Sequence, residues 1–106
     1  MGKDQALKVI RKFIKALKQE GISVDRAILY GSYAKGKMRP DSDIDVAVVS
    51  KHFGKDRVEE GMNLFRIAGK IDSRIEPIPI SSESYEKDTW VPLIYEIKEK
   101  GIEVEF

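Results

Sequence analysis

The sequence predicts an α/β domain, a mixed sheet of about four strands with helices mainly on one face. Three observations predict it. Segments 4–20 and 56–70 carry apolar residues at helical spacing. Runs at 25–30, 43–50 and 74–80 are short and mostly apolar, as strands are, and the first of them reads as covered on both faces. Pro77 and Pro79, two residues apart, put the third of these runs where one edge cannot pair fully.

The helix at 4–20 has a stripe of Leu7, Ile10, Ile14 and Leu17, widened by Ala6 and Phe13. Asp4 is its expected N-cap and Gly21 its C′ residue. Its basic residues mostly fall on the opposite, solvated face. Strand 25–30 carries Ala27, Ile28, Leu29 and Tyr30 and stops at Gly31-Ser32. Residues 33–37 fit a short helix and Lys37-Met38-Arg39-Pro40 a loop, because Pro40 does not belong inside a sheet.

In strand 43–50, Ile44, Val46 and Val48 face one way, and Asp43, Asp45, Ala47 and Val49 the other. Antiparallel pairing with the first strand would bring Gly31-Ser32 and both carboxylates to one edge of the sheet. Helix 56–70 opens on Asp56 and Glu59, the pattern of a capping box. Its expected stripe is Val58, Met62, Phe65 and Ala68, broadened by Leu64 and Ile67. Strand 74–80 follows, and 81–88 is polar enough for an irregular stretch or a short turn. A helix at 90–100 tolerates Pro92 in its first turn, Gly101 ends it, and 102–106 alternates as a short strand.

The 106 residues suit one domain, 1–106, with enough core for a single fold and no separate acceptor-binding domain. The net charge of +1, with both signs interspersed, does not suggest a dedicated nucleic-acid binder. The absence of cysteine rules out disulfides, thiolate catalysis and cysteine-bound metals. No apolar run reaches the length of a membrane span, and the N-terminal residues lack a secretory h-region, so a cytoplasmic protein is expected.

Two short motifs carry the chemistry. Gly31 imposes no Cβ clash, and the turn it opens with Ser32 can bring backbone N–H groups close to a phosphate. Asp43 and Asp45 lie two apart, so a strand projects them from one face. A phosphate cradle joined to a carboxylate pair makes a metal–nucleotide site, and hard oxygen ligands suit Mg²⁺. An EF-hand loop would also open like Asp41-Ser42-Asp43-Ile44-Asp45, but Val46 and His52 stand where it needs Gly and Glu.

Gly31-Ser32, ten intervening residues, then Asp43-Ile44-Asp45 among apolar residues resembles the nucleotidyltransferases related to DNA polymerase beta. The likeness is greatest to the minimal nucleotidyltransferase domains, the MntA-like antitoxin type, often paired with HEPN-domain partners. That resemblance implies a Mg²⁺-dependent transfer of a nucleoside monophosphate, AMP from ATP or another NMP from its triphosphate, to a hydroxyl. It implies Asp43 and Asp45 as metal ligands and a two-metal site. It also implies a third carboxylate. Glu76 in the third strand is the candidate, as a metal ligand or as the base for the acceptor hydroxyl, although Asp is commoner there in the family. Asp72 is the runner-up. Gly31 and Ser32 would hold the phosphates, with Lys35, Lys37 and Arg39 available to neutralise them. The acceptor would come from a HEPN-type partner protein. The alternative is a catalytically weak module that neutralises such a partner by contact. His52 reads as a surface residue, and Tyr85, Trp90 and Tyr95 as packing for the last helix or as a partner surface.

Overall fold

The computed structural model describes residues 2–39 and 41–106, so the expectation for Pro40 lies outside the described residues. In chain order the elements are α1 (Lys3–Gln19), β1 (Arg26–Tyr30), α2 (Ser32–Lys35), β2 (Ile44–Ser50), α3 (Arg57–Ile71), β3 (Ile75–Ser81), α4 (Ser82–Lys87), α5 (Pro92–Lys100) and β4 (Ile102–Glu103). The four strands form one sheet in the order β3-β2-β1-β4. β1 is antiparallel to β2 and to β4, while β2 and β3 run parallel. The sheet is therefore mixed, as the order of elements predicts.

Each face of the sheet has its own core. On one, α1 and α3 lay Phe13, Ile14, Leu17, Leu64 and Ile67 over Leu29, Val46 and Val48. On the other, Ile94 and Ile97 of α5 cover Ile28, Ala47, Val49 and Ile80. The period of two along β2 divides its side chains between these layers. Its even-numbered residues go to the long helices and its odd-numbered ones to the α5 side.

Local chemistry sets the boundaries. At the end of α1, Ile22 N–H donates to the Leu17 carbonyl and Gly21 N–H to that of Lys18, at 3.0 Å each. This is a Schellman closure, and it needs the positive φ of 83° that Gly21 adopts. At the other end Gly2 is the N-cap and makes no side-chain cap bond, which corrects the expectation for Asp4. Asp4 sits inside the first turn, where its charge meets the positive end of the helix dipole. The capping box of α3 is shared among three residues. Asp56 accepts from Glu59 N–H, but Glu60 makes the return contact, accepting from Asp56 N–H at 3.4 Å and also from Gly54 N–H at 3.0 Å.

α3 is rotated from the expected stripe. Leu64, Ile67 and Ala68 are buried, whereas Val58 and Met62 are 73% and 69% exposed and Phe65 is exposed too. Gly61 faces Pro79, so α3 turns the side of Gly61, Leu64 and Ala68 toward β3. Residues 82–87, expected to be irregular, form α4, capped by the Ser81 hydroxyl accepting from Ser84 N–H. β4 is shorter than 102–106, with only Ile102 and Glu103 in the ladder, although Val104 N–H still reaches the Ala27 carbonyl. β3 is an outer strand and pairs with β2 along its whole length, from Ile75 to Ser81. The positions without N–H, Pro77 and Pro79, therefore turn to its unpaired edge.

Candidate functional site

β1 ends where β2 begins. Antiparallel register sets Tyr30 opposite Asp45, and Gly31 immediately follows. Gly31 has φ 70° and ψ −144°, a conformation that L side chains rarely adopt. A Cβ built there would overlap the Asp45 carboxylate. The Gly-Ser turn and the second aspartate are thus packed together, and the single-turn α2 starts from that point. The first N–H groups of such a turn have no intrahelical acceptor.

On the other side of β2, parallel register sets Glu76 beside Asp45. Both belong to the face covered by α5, since Ala47 with Val49 and Ile78 with Ile80 continue that face along each strand. Asp43 lies one residue ahead of β2 and is exposed. Glu96, in the middle of α5, completes the group, with its Oε1 2.7 Å from Lys35 Nζ at the end of α2.

Three other carboxylates act on Asp45. Burial pushes the Asp45 carboxyl above its ordinary range, and the charges of Asp43, Glu76 and Glu96 push it the same way. Tyr30 is raised to about 12, chiefly by burial and then by Asp45, Glu96 and Glu76, so its phenol stays protonated. Glu96 is lowered, first by its hydrogen bond from Lys35.

Asp72 is engaged elsewhere. Its carboxylate accepts from Arg74 Nε at 3.0 Å and Nη2 at 2.7 Å, and from Arg74 N–H at 2.9 Å. The Arg74 side chain holds its pKa low. Asp72 serves the turn between α3 and β3, while Glu76 shares a register line with Asp45.

The basic residues divide. Lys35 is paired with Glu96, whereas Lys37 and Arg39 are exposed in the connection to β2. The backbone of Arg39 closes a turn with Ser42, donating to its hydroxyl and accepting from its N–H. His52 is exposed past the far end of β2. Tyr85 packs into the α5-side core with Lys98 Nζ 4.6 Å from its ring centroid. Trp90 and Tyr95 are exposed, contrary to a packing role. Sequence reasoning passed over Tyr30 and Glu96. Tyr30 could have been found from its place before Gly31, but Glu96 carries no local signal, because only the packing of α5 brings it here.

Among the described residues no three His, Cys, Asp or Glu side chains are arranged to hold a metal ion. The donor chemistry nonetheless fits Mg²⁺. Asp43, Asp45 and Glu76 offer only hard oxygen atoms, and their mutual repulsion, visible at Asp45, is the kind a divalent cation relieves. Asp43 is exposed, so its carboxylate can turn toward Asp45.

Comparison with known proteins places the chain in a family. Residues 10–104 match the family model described as a nucleotidyltransferase domain. A Methanocaldococcus jannaschii protein, provisionally named a protein adenylyltransferase, is 30% identical over 100 residues, covering 94% of this chain and 96% of that protein. Among solved structures, a protein from Sulfolobus solfataricus, provisionally named a nucleotidyltransferase, aligns with a TM-score of 0.66 at 14% identity, over 95% of this chain and 80% of that one. A toxin–antitoxin structure with AMP-PNP aligns at 0.64 with 24% identity, over 90% and 71% of the two chains. A variant of the toxin–antitoxin pair MntA–HpeT aligns at 0.62 with 23% identity over the same shares. At these identities the structural likenesses establish the fold.

Proposed function

Because the chain belongs to the nucleotidyltransferase domain family, we propose that it transfers a nucleoside monophosphate, AMP from ATP, to a hydroxyl on a partner protein in a Mg²⁺-dependent reaction. The observation that carries this reading is the Asp45 carboxylate packed against Gly31 with Glu76 in register beside it. A phosphate turn and the carboxylates that would serve the reacting phosphorus are thereby held on adjoining strands.

In this reading the backbone of Gly31 and Ser32 and the Ser32 hydroxyl bind the nucleotide's phosphates, with Lys35 and Arg39 offsetting their charge. Asp43, Asp45 and Glu76 would hold Mg²⁺, which, when bound, supplies Lewis-acid stabilisation of the phosphoryl oxygens. The acceptor oxygen forms the new bond to the α-phosphorus, the bond from that phosphorus to the β-bridging oxygen breaks, and pyrophosphate leaves. Glu76 takes the acceptor's proton if it is not committed as a ligand.

The name of the Methanocaldococcus jannaschii relative supports a protein acceptor, and the toxin–antitoxin neighbours support a toxin as that partner. The resemblance carried by the Gly-Ser and Asp-x-Asp motifs extends the proposal to a HEPN-type protein, with both partners in the cytoplasm. The nucleotidyltransferase unit is taken as residues 1–106. The test is incubation with labelled nucleoside triphosphates and Mg²⁺, with and without the protein encoded beside it. Label on the partner that disappears with Asp43→Asn and Asp45→Asn is expected. Efficient transfer to an aminoglycoside by this chain alone would overturn it.

A second reading, neutralisation of the partner by contact, draws on the open arrangement of the carboxylates and on Glu in place of Asp at position 76. In that case the variant lacking both aspartates neutralises the partner as well as the native protein does.

A further inference from the structure

Lys35 closes α2 and Glu96 lies in α5, and their side chains meet at 2.7 Å. Both are partly exposed, and exposed ion pairs usually contribute little to stability. The position of this pair sets it apart. Lys35 is on the same short helix as the Gly31–Ser32 turn, and helical side chains lean toward the N-terminal end of their helix. Glu96 stands close enough to the carboxylates to act on both Asp45 and Tyr30.

Lysine has a long side chain and loses rotamer freedom whenever it is fixed. A carboxylate that already restrains it reduces what remains to be lost when an anion arrives. One acceptor occupies one of the three ammonium N–H bonds, leaving two for phosphate oxygens. Lys100, one turn further along α5, also favours ionised Glu96.

We infer that Glu96 is a positioning residue for Lys35, holding the ammonium beside the Gly31–Ser32 turn where the polyphosphate of a nucleotide meets it. This rests on the nucleotide reading above. Glu96 touches neither nucleotide nor acceptor in this role and acts through Lys35.

Equilibrium binding of MgATP tests it, with melting temperature as a second readout. Glu96→Gln and Lys35→Gln should each weaken binding roughly tenfold, and the double variant no further, because the two act as one unit. Glu96→Asp should recover part of the loss. For Glu96→Gln, single-turnover transfer at saturating nucleotide should stay near the native rate. Exchanging the charges, with Lys35→Glu and Glu96→Lys together, should keep the native melting temperature without restoring affinity.

Unchanged binding in Glu96→Gln, or additive losses, overturns the inference. Tighter binding does too, since Glu96 would then act only as a charge repelling phosphate. Recovery of affinity by the exchanged pair would reduce it to a structural tie. The Asp43→Asn, Asp45→Asn variant separates the two levels. If it loses MgATP while Glu96→Gln binds normally, only the inference fails. If the native protein binds no MgATP, both fail.

Discussion

The Asp45 carboxylate occupies the space that a Cβ at residue 31 would need. Gly31 is therefore constrained twice, by its φ of 70° and by its neighbour across the strand pair. Gly31→Ala should lower stability by about 1–3 kcal/mol from backbone strain alone. It should also push Asp45 away from the turn and weaken nucleotide binding. Urea unfolding and MgATP titration of the same variant check both effects. Native values for both would show that the Gly31 conformation is not required.

The double variant Asp43→Asn, Asp45→Asn should fold, because neither residue supports the core and its loss relieves like-charge repulsion. In chelator it should melt no lower than the native protein. With MgATP at about 100 times its dissociation constant, the native protein should gain about 2.7 kcal/mol and the variant nothing. Equal thermal shifts would remove these residues from the site.

Asp45 also predicts a pH dependence in metal-free buffer. Its native pKa lies above the ordinary 3.8, so folding binds a proton more readily than the unfolded chain does. Its contribution to stability falls as pH rises from 3.8 through the native value. Asp45→Asn should raise the melting temperature at neutral pH, and the gain should shrink to nothing in acid. Asp72 has the opposite sign. Its pKa is depressed by Arg74, so its contribution is present at neutral pH and is lost as pH falls through the native value. Melting curves across this range should show the differences of Asp45→Asn and Asp72→Asn from the native protein changing in opposite directions.

The two candidates for a third carboxylate can be separated by rate. Glu76→Gln should slow single-turnover transfer by roughly 10²- to 10⁴-fold, the usual cost of losing a general base. It should leave MgATP binding less affected. Asp72→Asn should melt lower, having lost its contacts to Arg74, while transferring at nearly the native rate. The reverse pattern would move the role to Asp72.

Much of this arrangement is legible in the sequence because it depends on short-range periodicity. Period two along residues 43–50 puts Asp45 on one face with Ala47 and Val49, and the Gly-Ser stop ends β1 beside it. The rotation of α3 is not legible, because apolar residues occupy more than one stripe of that helix. The docking of α3 on α1 and the sheet, which also sets Gly61 beside Pro79, selects Leu64, Ile67 and Ala68 for burial. Glu96 is illegible for a different reason. A glutamate on a helix reads as solvated until the helix is docked, and its partner Lys35 lies far back in the chain, on the helix after β1.

The prolines of β3 bear on how copies of this protein could join. A foreign strand laid along that border would find two hydrogen-bond donors missing, at Pro77 and Pro79. Fibril-like growth by adding strands is blocked on that side. At the opposite border β4 offers two residues of ladder, a poor template. Any lasting association must therefore use side-chain surfaces, such as the apolar row of Val58, Met62 and Phe65 left outward by the turn of α3, and so can be dissolved by point substitutions that leave the sheet intact.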